Sequence, residues 1–186
     1  MTRATLRAQL STLDLSRRPE EEPARARMLA LLDGTPDCFA RTSFPAHFTG
    51  SALVVNADGS QVLLHHHRKL DRWLQFGGHC EGDEDILRVA RREALEESGI
   101  QGLIVASERP FDLDIHEIPA HGCDPVHFHY DVRFMLIAPE SAAPILSEES
   151  RDLRWFTSGE LPALPLDESL RRMIRKWQSI VARRAH

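Results

Sequence analysis

Residues 78–100 read GHCEGDEDILRVARREALEESGI. Gly78 is followed six positions later by Glu84, and eight positions further by Arg92-Glu93. Ala94, Leu95, Glu96, Glu97, Ser98, Gly99 and Ile100 complete the stretch. The spacing predicts a helix from Asp83 to Ser98. Advancing about 100° per residue, Ile86, Val89 and Ala90 share one face. Glu93, Glu96 and Glu97 continue that face one turn on, so an apolar stripe turns into three carboxylates. An ordinary surface helix carries its acids opposite its apolar stripe. Inward carboxylates at this spacing stay ionised only where a cation or deep water compensates them. A hard divalent ion bound through oxygen, Mg²⁺ or Mn²⁺, answers that need.

The stretch resembles the Nudix box of the Nudix (MutT-like) hydrolases, G-x5-E-x7-R-E-U-x-E-E-x-G-U with U a bulky aliphatic. Every polar and glycine position matches; Ala94 stands where a larger aliphatic is usual. A charged surface helix laced by i,i+4 pairs would require neither Gly78 nor Gly99. The resemblance implies a metal-dependent pyrophosphohydrolase. Glu93, Glu96 and Glu97 would then be metal ligands, together with the backbone carbonyl of Gly78. Glu93 and Glu97 would also be catalytic, with Arg92 fixing a box glutamate through its bidentate guanidinium. Glu84 sits in the first helical turn, where the helix dipole favours an acid, and reads as structural more than catalytic. The family often adds a carboxylate before its last Trp-containing strand. Here Glu148 and Glu149 precede Leu153-Arg154-Trp155-Phe156, and Glu149 is favoured over Glu148 as base or auxiliary ligand. A solvated acidic loop is the other reading.

The chain has 186 residues, 42% of them hydrophobic, enough for one domain with an elaboration. Its formal net charge of −5 speaks against a duplex nucleic-acid binder. Cys38, Cys80 and Cys123 are scattered and odd in number, so no disulfide framework is expected and a cytoplasmic setting is the better reading. No apolar leader and no membrane-spanning run is evident.

Leucines at Leu6, Leu10, Leu13, Leu29, Leu31 and Leu32 mark helices over 4–15 and 20–33. Residues 1–43 read as a helical N-terminal extension, and 44–186 as the catalytic domain. Strands are expected at 51–55, 61–65, 73–76, 103–106, 111–118, 126–138 and 153–156. Asn56-Ala57-Asp58-Gly59 turns the first hairpin, and 167–184 forms an amphipathic helix. The pattern is α/β, and the resemblance makes it a Nudix-type α/β/α sandwich with a mixed sheet. The extension's apolar stripes need a partner surface, on the catalytic domain or on a second copy, and a homodimer is favoured.

Eight of the ten histidines lie between 65 and 129. His127, His129, Asp131 and Arg133 alternate with Phe128, Tyr130, Val132 and Phe134, so the first four share a strand face. They are candidate substrate contacts or ligands of a second metal; a solvated sheet face is the plainer alternative. Asp112, Asp114 and His116 alternate likewise. Arg72, beside His65-His66-His67-Arg68-Lys69, is a candidate phosphate contact, and Phe76 a candidate platform for a base, with core packing its alternative. His79 reads as pocket rim. The expected substrate is a nucleotide-type small molecule, a nucleoside diphosphate linked to another moiety. Rival readings are a catalytically silent domain of this family acting as a ligand sensor or regulator, a His-rich zinc protein, and an isomerase of the same fold.

Overall fold

The box helix begins where its acids stop propagating a helix and start capping one. In the computed structural model, which describes residues 1–184, helix α3 is Ile86–Ser98. Asp85 Oδ1 accepts the Arg88 N–H at 3.0 Å, and Asp83 Oδ1 accepts the Asp85 N–H at 2.8 Å. Short acidic side chains compete for backbone donors in this way, and so favour the cap over the helix interior. Hence the start falls at Ile86 and not at Asp83. The remaining helices are α1 (Arg3–Ser11), α2 (Glu22–Gly34) and α4 (Glu168–Arg184).

The strands are β1 (Ala46–Val55), β2 (Gln61–His67), β3 (Arg72–Leu74), β4 (Phe76–His79), β5 (Ile104–Val105), β6 (Asp112–Ile118), β7 (His127–Ile137) and β8 (Ser150–Thr157). They form one eight-stranded sheet. Its path is β3-β2-β1-β7-β5, with β4 on β1, β6 on β7 and β8 on β2. With its helices this is an α/β/α sandwich around a mixed sheet, preceded by two N-terminal helices. No helix of the described residues is long and apolar enough to cross a membrane.

By contact the chain divides into two units, and β1, α3 and β7 each run from one into the other. The first holds residues 1–51, 77–90 and 107–134. Leu6, Leu10, Met28 and Leu32 form the buried seam of α1 and α2. The Arg3 guanidinium gathers the carbonyls of Leu32, Thr35 and Pro36. The N-terminal helices are also tied to strands. Glu21 accepts the Leu113 N–H at 3.2 Å, Arg18 donates to the Phe111 carbonyl, and the Arg27 guanidinium lies over Phe128 and Tyr130. β6 and β7 pair antiparallel, with Asp112 opposite Arg133, Asp114 opposite Asp131 and His116 opposite His129.

The second unit holds residues 52–76, 91–106 and the chain from 135 on. Val54 pairs with Leu63 and Val55 with Val62 across a turn that uses Gly59 at φ 78°. A left-handed backbone at that point suits glycine. β2 is flanked by β3 and β8. Helix α4 buries Leu170, Met173, Ile174 and Trp177, and the Trp177 indole donates to the Gly59 carbonyl at 2.9 Å.

Other expected boundaries shift as well. β1 starts at Ala46, five residues before Ser51, because His47, Phe48 and Thr49 are buried despite a polar pattern. Helix α1 ends at Ser11, where the Thr12 N–H closes onto the Ala8 carbonyl.

Candidate functional site

On α3 the buried stripe is Ile86, Val89, Ala90, Ala94, Glu97 and Ser98. Glu97 is only 8% exposed. The Glu93 side chain is 16% exposed, and the Arg92 guanidinium holds its Oε1 at 2.5 Å. Glu96 is exposed. By helical rotation it stands about 80° from the Ile86 direction, so it sits at the edge of the stripe and not within it. Burial pushes the Glu93 carboxyl above its ordinary range. The Arg92 hydrogen bond and charge pull it back, while the charges of Glu96 and Glu149 add to the rise. Glu149 is thus close enough to be felt at Glu93. It lies in the exposed loop before β8, and its carbonyl accepts the Arg68 N–H at 2.7 Å. Glu93, Glu96, Glu97 and Glu149 therefore concentrate acid in one region of the second unit, with one guanidinium bound to Glu93. A hard divalent cation suits such a set of oxygen donors.

Gly78 lies on β4, in the first unit. Its neighbour Gly77 leaves no room for a side chain: a Cβ there would stand 2.1 Å from Ser51 Oγ. Glu84 is exposed and accepts the Arg3 backbone N–H, in keeping with a structural part.

The residues read as substrate contacts divide into four placements. Phe76 is fully buried, with its ring 5.2 Å from that of His65. It offers no free face to a base, so that reading is corrected: Phe76 is the buried position of β4, packed as a core ring against His65. Arg72 is exposed on β3, opposite His67. Asp131 and Arg133 lie inside the first unit, each 2% exposed. Arg133 donates through Nε to Asp131 at 2.6 Å, through Nη1 to Asp112 at 3.2 Å and through Nη2 to Asp114 at 3.1 Å. Thr49 and Ser51 hydroxyls complete Asp131 at 3.0 and 2.7 Å. Burial opposes the Arg133 charge, but Asp131, Asp114 and Asp112 outweigh it and hold its pKa above the ordinary value. All three sides of this guanidinium are engaged within the protein, so the expected contact of Asp131 and Arg133 with substrate gives way to a buried ion-pair network.

His127 and His129 enter a group that the sequence alone did not reveal. His47 on β1, His79 on β4 and His116 on β6 stand with them. Ring centroids are 5.1 Å apart for His47–His127, 4.9 Å for His47–His129, 4.9 Å for His79–His129 and 5.4 Å for His116–His129. Burial pushes His47 down to about 4 and His129 down to about 2, and lowers His79; neighbouring imidazoles add to each shift. His47 and His129 are therefore neutral at physiological pH. His47 was missed because its neighbours Phe48, Thr49 and Gly50 carry no alternation that marks a strand.

A family model of the NUDIX domain matches residues 47–177. No curated protein matches. Among solved structures, a NUDIX-family hydrolase from Clostridium perfringens is 21% identical with a TM-score of 0.58, covering 72% of this chain and 97% of its own. The C. elegans Ap4A hydrolase, solved as a binary complex, is 17% identical with a TM-score of 0.59, covering 73% and 97%. The E. coli dihydroneopterin triphosphate pyrophosphohydrolase is 22% identical with a TM-score of 0.57, covering 69% and 92%. At these identities the likeness is one of fold.

Proposed function

Because the chain belongs to the Nudix family, and is thus a pyrophosphohydrolase of phosphorus-containing anhydrides, we propose that it cleaves a nucleoside diphosphate linked to another moiety, with Mg²⁺. The observation that carries the reading is the acid concentration around α3: Glu93, half-buried and raised in pKa, beside the charges of Glu96 and Glu149. That excess of negative charge fits a divalent cation, and enzymes of this family generally use one. Glu93, Glu96 and Glu97 would hold the ion. When bound, the ion withdraws charge from the phosphoryl oxygens and makes water a better nucleophile.

The chain's own groups do the rest. Arg92 fixes the rotamer of Glu93 through their 2.5 Å contact. Glu149, exposed on its loop, is the group proposed to take the proton of the attacking water, since an unligated carboxylate can serve as base. Arg72, exposed on β3, is proposed to meet a substrate phosphate. Residues 1–43 are proposed as an extension to the catalytic domain, seated through Arg18, Glu21 and Arg27.

The test is a panel of ADP-ribose, dinucleoside polyphosphates, sugar nucleotides and nucleoside triphosphates, assayed with Mg²⁺ and after chelation. Metal-dependent cleavage that favours the diphosphate-linked nucleosides supports the reading. Cleavage indifferent to chelation, or confined to triphosphates, contradicts it.

A further inference from the structure

We infer that His47, His127 and His129 form a site for one transition-metal ion of the Zn²⁺ class, separate from the carboxylates of α3. One ring nitrogen from each lies within 4.8 Å of the others. His127 and His129 are two apart on β7 and therefore share a face; His47 comes from β1.

The orientation of the rings argues for ligation. His47 Nδ1 lies 3.2 Å from the Ser43 carbonyl, and His127 Nδ1 lies 2.8 Å from the Pro125 carbonyl. A carbonyl only accepts, so each Nδ1 carries a proton, and Nε2 is the nitrogen whose lone pair can serve a metal. Metal-bound histidines are fixed in this manner, the second ring nitrogen donating to a carbonyl or carboxylate. His47 Nε2 is buried with no hydrogen-bond partner among the described residues. A buried acceptor in that state calls for an occupant.

His79 supplies a fourth imidazole at the rim. Its Nε2 shares a 3.2 Å hydrogen bond with His129 Nε2, a spacing that two nitrogens on one tetrahedral zinc ion, roughly 3.3 Å apart, would also show. The donor set is nitrogen only. Imidazole suits Zn²⁺ and its transition-metal neighbours, while Mg²⁺ and Ca²⁺ prefer oxygen. Three protein ligands leave a fourth position for His79 or for a solvent or substrate atom.

The full-length protein, stripped with chelator and dialysed, would be titrated with ZnCl₂ by calorimetry, and with Co²⁺ by visible absorption. The wild type is expected to bind one equivalent of Zn²⁺ at sub-micromolar concentration and to give the intense bands of four-coordinate Co²⁺. His47→Gln and His127→Gln should each weaken binding by about 100-fold or more, since losing even an outer-shell partner costs 10–100-fold. Glu97→Gln should leave the stoichiometry unchanged. Absence of a tight equivalent in the wild type, binding unaffected by both histidine variants, or its loss in Glu97→Gln would overturn the assignment. Should a histidine variant fail to fold by circular dichroism, X-ray absorption of the zinc-loaded wild type decides. An imidazole-nitrogen shell near about 2.0 Å upholds the site, and an oxygen-dominated shell overturns it.

Discussion

Arg133→Ala is expected to cost about 3–5 kcal/mol of folding stability, the range for breaking a buried ion pair by removing one partner. The magnitude follows from what stays behind. Asp112, Asp114 and Asp131 are at most 8% exposed, and each accepts from a different nitrogen of the guanidinium. Asp131 keeps the hydroxyls of Thr49 and Ser51, but the three carboxylates lose the cation they share. For a chain of this size about 2–4 °C accompanies each kcal/mol, so the melting temperature should fall by on the order of 10 °C. Urea denaturation and thermal melts measure it directly. Arg133→Lys should fall between, because one ammonium cannot reach three carboxylates with the geometry of the fork. A variant that melts like wild type while its KM rises would refute this reasoning and return Arg133 to the substrate.

Gly77→Ala should lose about 1–3 kcal/mol as an overpacking change, since its Cβ would sit 2.1 Å from Ser51 Oγ and 2.9 Å from Ser51 Cα; Ser51→Gly in the same chain should not restore it fully, and an unchanged melting temperature would show the strands giving way freely. His65 is buried against Ser150 and Phe76 and held down to about 4, chiefly by burial. A folded pKa below the unfolded value of about 6.5 contributes stability that is present above pH 6.5 and lost as pH falls toward 4, amounting to about 3 kcal/mol. His65→Gln should flatten that part of the stability–pH curve, and a curve of unchanged slope would contradict the shift. Arg92→Ala removes the hydrogen bond and charge that lower Glu93, so the acid limb of the kcat/KM profile should move to higher pH; an unmoved limb would uncouple Arg92 from Glu93.

The chemistry-bearing helix was legible because its meaning lies in local spacing. Glycines, an Arg-Glu pair and acids in register with an apolar stripe occupy 23 consecutive residues of one chain segment. The start of α3 was less so, because Asp83 and Asp85 belong to the cap and not to the helix. Strand alternation placed His127, His129, Asp131 and Arg133 on one face, but a period of two cannot say what that face meets. Thr49 and Ser51 of β1, some 80 residues away, turn it into a buried network. His47 was invisible for the same reason: its relation to β7 is a matter of strand pairing. Phe76 illustrates the limit for single aromatics, whose sequence context does not separate a core ring from a stacking platform.

The central claim is that the carboxylates of α3 carry metal-dependent hydrolysis of a phosphoanhydride. The direct measurement is steady-state turnover of the best substrate by wild type and Glu97→Gln at saturating Mg²⁺, with circular dichroism to confirm the fold. Glu97 is 8% exposed on α3, and a neutral amide of the same shape keeps the packing while removing the anion. The account predicts a fall in kcat on the order of several hundredfold or more, as when a principal electrostatic stabiliser is lost. A folded Glu97→Gln enzyme turning over at the wild-type rate would contradict it.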